Sequence, residues 1–230
     1  MRCFFFLAAA LATCGCNHPH ESAGRDSADD ARPSGPVPAK TADAAPDNRK
    51  VLVVFGDSIS AGFGLPAGQS FPDYLQKDLD AEGYRWRVAN LGISGDTTEG
   101  GVSRIESATS LKPAVVLLEL GGNDGLRGLP LASTRENLNQ MITAFQQSGA
   151  RVVLAGMTLP PNYGADYVHQ FEKIYSDLAA QHKLPLIPFL MADIVTKDLR
   201  YIQRDGIHPT GPGSEIIAQT VLRAVKPVLQ

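Results

Sequence analysis

From residue 50 onward, blocks of consecutive apolar residues alternate with longer stretches in which apolar positions recur every three or four residues. The first block, Val51-Leu52-Val53-Val54-Phe55, is uninterrupted and rich in β-branched residues, which suits a strand buried on both faces of a parallel sheet. Trp86-Arg87-Val88-Ala89, Ala114-Val115-Val116-Leu117-Leu118-Glu119-Leu120, Arg151-Val152-Val153-Leu154-Ala155-Gly156 and the short Leu186-Ile187 supply four more. Ser70 as N-cap, Pro72 in the first turn, and Tyr74, Leu75 and Leu79 at helical spacing predict a helix that runs to about Glu82, where Gly83 stops it. Further helices are expected through Ile105, over 134–147 with Leu138, Ile142 and Phe145 on one face, over 166–181, and over 213–225. Residues 59–66 and 160–164 are read as loops. Strands and helices alternating in this way predict an α/β fold, a three-layer α/β/α sandwich around a five-stranded parallel sheet. Right-handed crossovers then put the glycine-rich strand ends along one edge, where ligands collect in open sheets of this kind.

The first 49 residues follow a different pattern. Arg2, the apolar run Phe4 to Ala12 and then Thr13-Cys14-Gly15-Cys16 fit an export signal too short to span a bilayer. The cysteines resemble a bacterial lipobox, so residues 1–16 are expected to be a lipoprotein-type leader with Cys14 or Cys16 lipidated. Residues 17–49 are mostly Ala, Asp, Pro, Ser and Gly and cannot bury enough surface to offset ordering, which predicts a disordered tether. His18 and His20 in that segment are read as solvated. The folded domain is then 50–230, and the expected location is the periplasm, anchored to a membrane. All three cysteines (Cys3, Cys14, Cys16) lie in the leader, so the domain holds no disulfide. A net charge of −3 gives no reason to expect a nucleic-acid partner, and a monomer is expected.

Candidate chemistry sits at the strand ends. The first strand stops on Gly56-Asp57-Ser58, the second is followed by Gly92-Ile93-Ser94-Gly95, and the third ends in Gly121-Gly122-Asn123-Asp124. Near the C-terminus, Asp205-Gly206-Ile207-His208-Pro209 places an acid and an imidazole three apart in a turn, so Asp205 can hold one ring nitrogen and leave the other free as a base. A serine hydroxyl is a poor nucleophile until such a base takes its proton, and the oxyanion then formed needs fixed donors. Ser58 supplies the hydroxyl and His208 the base. The backbone N–H groups of Ser58 and Gly95 and the Asn123 amide supply the donors.

These four segments resemble the four sequence blocks of the SGNH hydrolases, also called GDSL esterases and lipases. The longer runs Ile93-Ser94-Gly95-Asp96-Thr97, Glu119 to Gly128 and Leu159-Pro160-Pro161-Asn162-Tyr163-Gly164 are similar to the bacterial thioesterase I / protease I / lysophospholipase and arylesterase group. The resemblance covers nearly all of 50–230. It implies a flavodoxin-like SGNH hydrolase fold with Ser58 as nucleophile, His208 as general base and then acid, Asp205 as its partner, and Ser58, Gly95 and Asn123 as the oxyanion hole. It implies a mobile lip over the acyl chain at about residues 126–130. No cofactor is expected. The expected substrates are acyl esters, including lysophospholipids and aryl esters, with thioesterase capability.

Asp57 and Asp124 are read as caps on backbone N–H groups, Glu119 as a paired structural acid, and His169 and His182 as solvent-facing. No cluster has metal-ligand spacing, so no metal is expected. The rival readings are a carbohydrate O-deacetylase and a catalytically silent acyl-binding lipoprotein. A flavodoxin-like nucleotide binder is disfavoured because no serine- and threonine-rich phosphate loop follows the first strand.

Overall fold

The structure is a computed structural model and describes residues 47–195 and 198–230. The leader and all of the tether before Asp47, including Cys14 and Cys16, lie outside the described residues.

Five strands form one parallel sheet: β1 (Lys50–Gly56), β2 (Trp86–Asn90), β3 (Val115–Glu119), β4 (Arg151–Ala155) and β5 (Leu186–Ile187), in the order β2-β1-β3-β4-β5. Every residue of β1 after Lys50 is buried, and so is all of β3. Such central strands carry unbroken apolar runs because both faces are covered. Among the described residues the helices are α1 (Ser58–Ala61), α2 (Phe71–Ala81), α3 (Thr98–Ser103), α4 (Ile105–Thr109), α5 (Gly122–Leu126), α6 (Leu131–Gln147), α7 (Ala165–His182), α8 (Ala192–Val195) and α9 (Gly211–Val225).

The chain steps from β1 to β2 in one direction, then crosses back over β1 to β3, β4 and β5. Right-handed crossovers therefore put α2 on one face of the sheet and α3, α6 and α7 on the other. After β5 the chain returns to the first face, where α9 packs on α2. The core between these layers includes Phe55 edge-on to Phe145, ring centroids 5.2 Å apart, and Phe171 edge-on to Tyr175 at 5.5 Å. Such pairs add about 0.5–1.5 kcal/mol beyond the area they bury. The expected α/β/α layering and five-stranded parallel sheet are what the structure contains.

Several local expectations need correction. The stretch after β1, expected to be loop from residue 59, begins as the one-turn helix α1. Asp57 caps it by accepting from Ile59 N–H at 3.0 Å, and Gly62 closes it in the left-handed region at φ 75°. The helix expected through Ile105 is broken in two at Arg104. The helix expected from 134 starts three residues earlier, directly after Pro130. A further one-turn helix, α5, follows β3 without any periodic apolar signal to announce it.

Candidate active site

The order β2-β1-β3 makes β1 and its neighbours the point where successive connections diverge, and a crevice opens beyond the carboxyl ends of strands at such a point. Ser58 stands there as the first residue of α1, where its N–H has no partner within the helix. Its Oγ lies 2.8 Å from His208 Nε2, although 150 residues separate the two in sequence. His208 Nδ1 lies 2.7 Å from Asp205 Oδ2. A carboxylate only accepts, so Nδ1 carries the proton and the lone pair of Nε2 faces the serine hydroxyl.

The turn that carries the pair is fixed by its own backbone. Asp205 Oδ1 accepts from Ile207 N–H at 2.9 Å and His208 N–H at 3.0 Å. Burial pushes the Asp205 carboxyl up, but the His208 and Ile207 backbone donors and the His208 ring outweigh it and hold the group below its usual range. Gln203 donates its N–H to His208 O at 2.7 Å and its side-chain amide to Phe63 O and Pro209 O, both at 2.8 Å. The Phe63 ring covers the imidazole with centroids 4.5 Å apart.

Asn123 lies in the first turn of α5. The bend that starts this helix needs Gly121 at φ +113°, and a Cβ there would sit 2.3 Å from the Tyr175 hydroxyl. The Asn123 amide donates to Asp57 Oδ2 at 3.1 Å and to Asp96 O at 2.9 Å. Both of its hydrogens are thus engaged inside the protein, and a bond to a substrate oxygen has to be shared with, or taken from, one of these. Gly95, at φ +80°, accepts from the Arg127 guanidinium at 2.8 Å through its carbonyl, while its N–H has no hydrogen-bond partner among the described residues. Asp96, next in the chain, is the residue whose carbonyl holds Asn123. The loops after β1, β2 and β3 therefore meet around these hydrogen bonds.

Arg104 was not singled out from sequence, yet it ties the first two loops together. Its guanidinium donates to Gly56 O at 2.9 Å, Leu91 O at 2.8 Å and Asp96 Oδ2 at 2.7 Å, and lies 3.9 Å from the Phe55 ring centroid. Two of those acceptors are backbone carbonyls, which leave no mark on residue type; the only signal was an arginine in a helix otherwise expected to be continuous.

Beneath the site lies a carboxyl pair. Glu119 is fully buried and accepts at Oε2 from Ser60 Oγ–H at 2.5 Å and from Asp57 N–H at 3.2 Å, while Oε1 has no partner among the described residues. No cation of the described residues reaches it; the partners of this structural acid are Ser60 and Asp57. Burial, then the neighbouring Asp57 charge, raise its pKa well above the usual 4.5 and favour its protonated form. Burial likewise pushes Asp57 up to about 6, against the Ile59 N–H that favours its charged form. Asp124 caps a backbone N–H as expected, but on another helix: it accepts from the Thr98 N–H and hydroxyl and so fastens α3 to α5. His169 is exposed as expected, but His182 is half-buried against Asn139 Oδ1 at 2.7 Å.

Between the Ser58–His208 pair and the β4 and β5 ends lies a cavity of about 320 Å³. Its walls include Leu126, Met157, Leu159, Pro160, Phe189 and Met191, so hydrocarbon is the material it suits. Tyr163 O–H donates to Leu126 O at 2.8 Å and joins the segment expected as a lip to the loop before α7. Among the described residues no group of three or more His, Cys, Asp or Glu side chains could hold a metal ion.

Comparison with known proteins gives a consistent picture. The sequence profile of the GDSL-like lipase/acylhydrolase family matches residues 54–216. Esterase TesA of Pseudomonas aeruginosa is 43% identical over 78% of this chain and 90% of its own length. The arylesterase of Vibrio mimicus is 40% identical over 77% of this chain and 89% of its own. Thioesterase 1/protease 1/lysophospholipase L1 of Escherichia coli K12 is 36% identical over 77% of this chain and 84% of its own. A crystal structure of TesA superimposes with a TM-score of 0.74 at 43% identity, covering 78% of this chain and 99% of that one.

Proposed function

Because the chain belongs to the GDSL-like lipase/acylhydrolase family and is a serine esterase, we propose that Ser58, His208 and Asp205 are its catalytic triad. The observation that carries this reading is the 2.8 Å approach of Ser58 Oγ to His208 Nε2 at the mouth of an apolar cavity. In the proposed reaction Ser58 Oγ attacks the ester carbonyl while its proton passes to His208 Nε2, and Asp205 steadies the imidazolium. The oxyanion takes hydrogen bonds from the free N–H groups of Ser58 and Gly95 and from the Asn123 amide. His208 then protonates the leaving alcohol, and a water activated by the same nitrogen hydrolyses the acyl-enzyme. No step calls for a cofactor.

The cavity supports an acyl chain as the recognised part of the substrate. At roughly 30 Å³ for each water-sized group, it holds about ten of them, enough for a medium-length chain. That favours aryl esters, lysophospholipids and acyl thioesters over an O-acetylated sugar, whose acetyl group leaves most of the cavity unfilled. An intact Ser58–His208–Asp205 chain of hydrogen bonds likewise disfavours a silent acyl-binding protein, which has no use for it. We also propose export to the periplasm, with a leader processed at Cys14 or Cys16 and the acylated cysteine holding the domain at a membrane, as a monomer. Among the described residues no helix is long and apolar enough to cross a membrane.

The test is hydrolysis of p-nitrophenyl butyrate by purified Ser58→Ala protein. A fall in kcat of roughly four to six powers of ten, with unfolding unchanged, is expected. Substantial turnover by that variant removes Ser58 from the mechanism.

A further inference from the structure

A second, outer groove of about 540 Å³ lies behind the acyl cavity, and the two share a single lining residue, Phe189. Leu186, Pro188 and the Tyr175 ring give this groove an apolar floor, while His169, Lys173 and Ser176 of α7 form an exposed polar rim. Beside Phe189 the separation is completed by a hydrogen bond from Thr158, which lines the cavity, to Glu172, which lines the groove.

The backbone around Phe189 is clamped. Gly156 N–H donates to Ile187 O at 2.7 Å, Leu190 N–H donates to Gly156 O at 3.0 Å, and a Cβ on Gly156 would lie 2.2 Å from Pro188 O. Pro188 further restricts the chain. The Phe189 side chain itself is only half-buried, so the part of this wall free to move is the ring, by rotation about its side-chain bonds.

We propose that Phe189 is a partition between the acyl cavity and the outer groove, and that the groove is the distal subsite for acyl chains too long for the cavity. The proposal rests on the acyl-ester reading above. Short chains end against the ring. Longer chains turn it aside, and their terminal methylenes lie along Leu186 and Pro188 under the rim of α7. Each methylene withdrawn from water in this way favours the transition state by about fourfold, so the groove sets how turnover varies with chain length and leaves the chemistry at Ser58 alone.

The experiment compares kcat/KM for p-nitrophenyl palmitate with that for p-nitrophenyl butyrate in the full chain and in two variants. Phe189→Ala opens the partition and is expected to raise the palmitate-to-butyrate ratio by about tenfold. Ser176→Trp fills the groove from its solvent side and is expected to lower the ratio by a similar factor. Opposite shifts separate a subsite from general damage, because a loosened fold lowers both rates and does not invert the preference. A ratio that fails to move with one of the variants, or moves the same way with both, overturns the proposal. Absence of butyrate hydrolysis by the unmodified chain refutes the esterase reading itself, and the subsite with it.

Discussion

Replacing Glu119 by glutamine tests the claim that a neutral acid is buried beneath Ser58. Burial, joined by the Asp57 charge once Asp57 ionises above about pH 6, disfavours the ionised form of Glu119 in the folded protein. In the unfolded chain Glu119 gives its proton up near its usual pKa of 4.5. Above that pH the unfolded state binds fewer protons than the folded one, so Glu119 makes the protein less stable as pH rises, at a limiting slope of about 1.4 kcal/mol per unit. A glutamine in its place has no proton to lose. The new carbonyl can still accept from Ser60 Oγ–H and Asp57 N–H, and the amide nitrogen occupies the place of the unpartnered Oε1. The stability of Glu119→Gln relative to the wild type should therefore rise between pH 5 and pH 7, and one proton over two pH units limits that rise to about 2.7 kcal/mol. Urea unfolding of both proteins at pH 5, 6 and 7 measures this. A constant offset between them says only how well the amide packs; the slope is the diagnostic quantity. Parallel pH profiles would mean that Glu119 is ionised in the fold and that the account of the carboxyl pair is wrong.

Asp57→Asn has one carbonyl oxygen to meet two donors, the Ile59 N–H and the Asn123 amide; keeping the α1 cap turns its amide nitrogen toward Asn123. Asn123 then loses an acceptor, and kcat should fall about ten- to hundredfold with KM little changed; an unaltered kcat on p-nitrophenyl butyrate would show that Asp57 does not hold Asn123. Arg104→Leu strands the Asp96 carboxylate and frees two backbone carbonyls, which should cost about 3 kcal/mol in urea unfolding and lower kcat by loosening the Gly95 loop. A loss below about 1 kcal/mol would contradict the role given to that cluster.

The Ser70 capping box shows why much of the fold could be read from sequence. Ser70 Oγ accepts from Asp73 N–H while Asp73 Oδ2 accepts from Ser70 N–H, and the apolar spacing of Phe71, Leu75 and Leu79 follows at once. Each partner lies within four residues of the other, so the signal is written locally. Glu119 shows the opposite case. Its residue type suggested a paired acid, but the partners, Asp57 and Ser60, lie 62 and 59 residues away. His182 was similarly misjudged, since the side chain that half-buries it belongs to α6, 43 residues earlier.

Alternating strands and helices, the caps and turns at their ends, and the presence of a hydroxyl, an amide, an acid and an imidazole in glycine-rich turns were all determined by the chain itself. These depend on backbone preferences and side-chain period over a few neighbouring residues. The tertiary structure alone decided that β1 lies between β2 and β3, that Arg104 joins two of the three loops, that both hydrogens of Asn123 are already engaged, and that Phe189 lines two hollows. The physical reason is that distances and burial arise from packing between segments far apart in sequence, and burial sets both the charge on Glu119 and the shape of the acyl cavity.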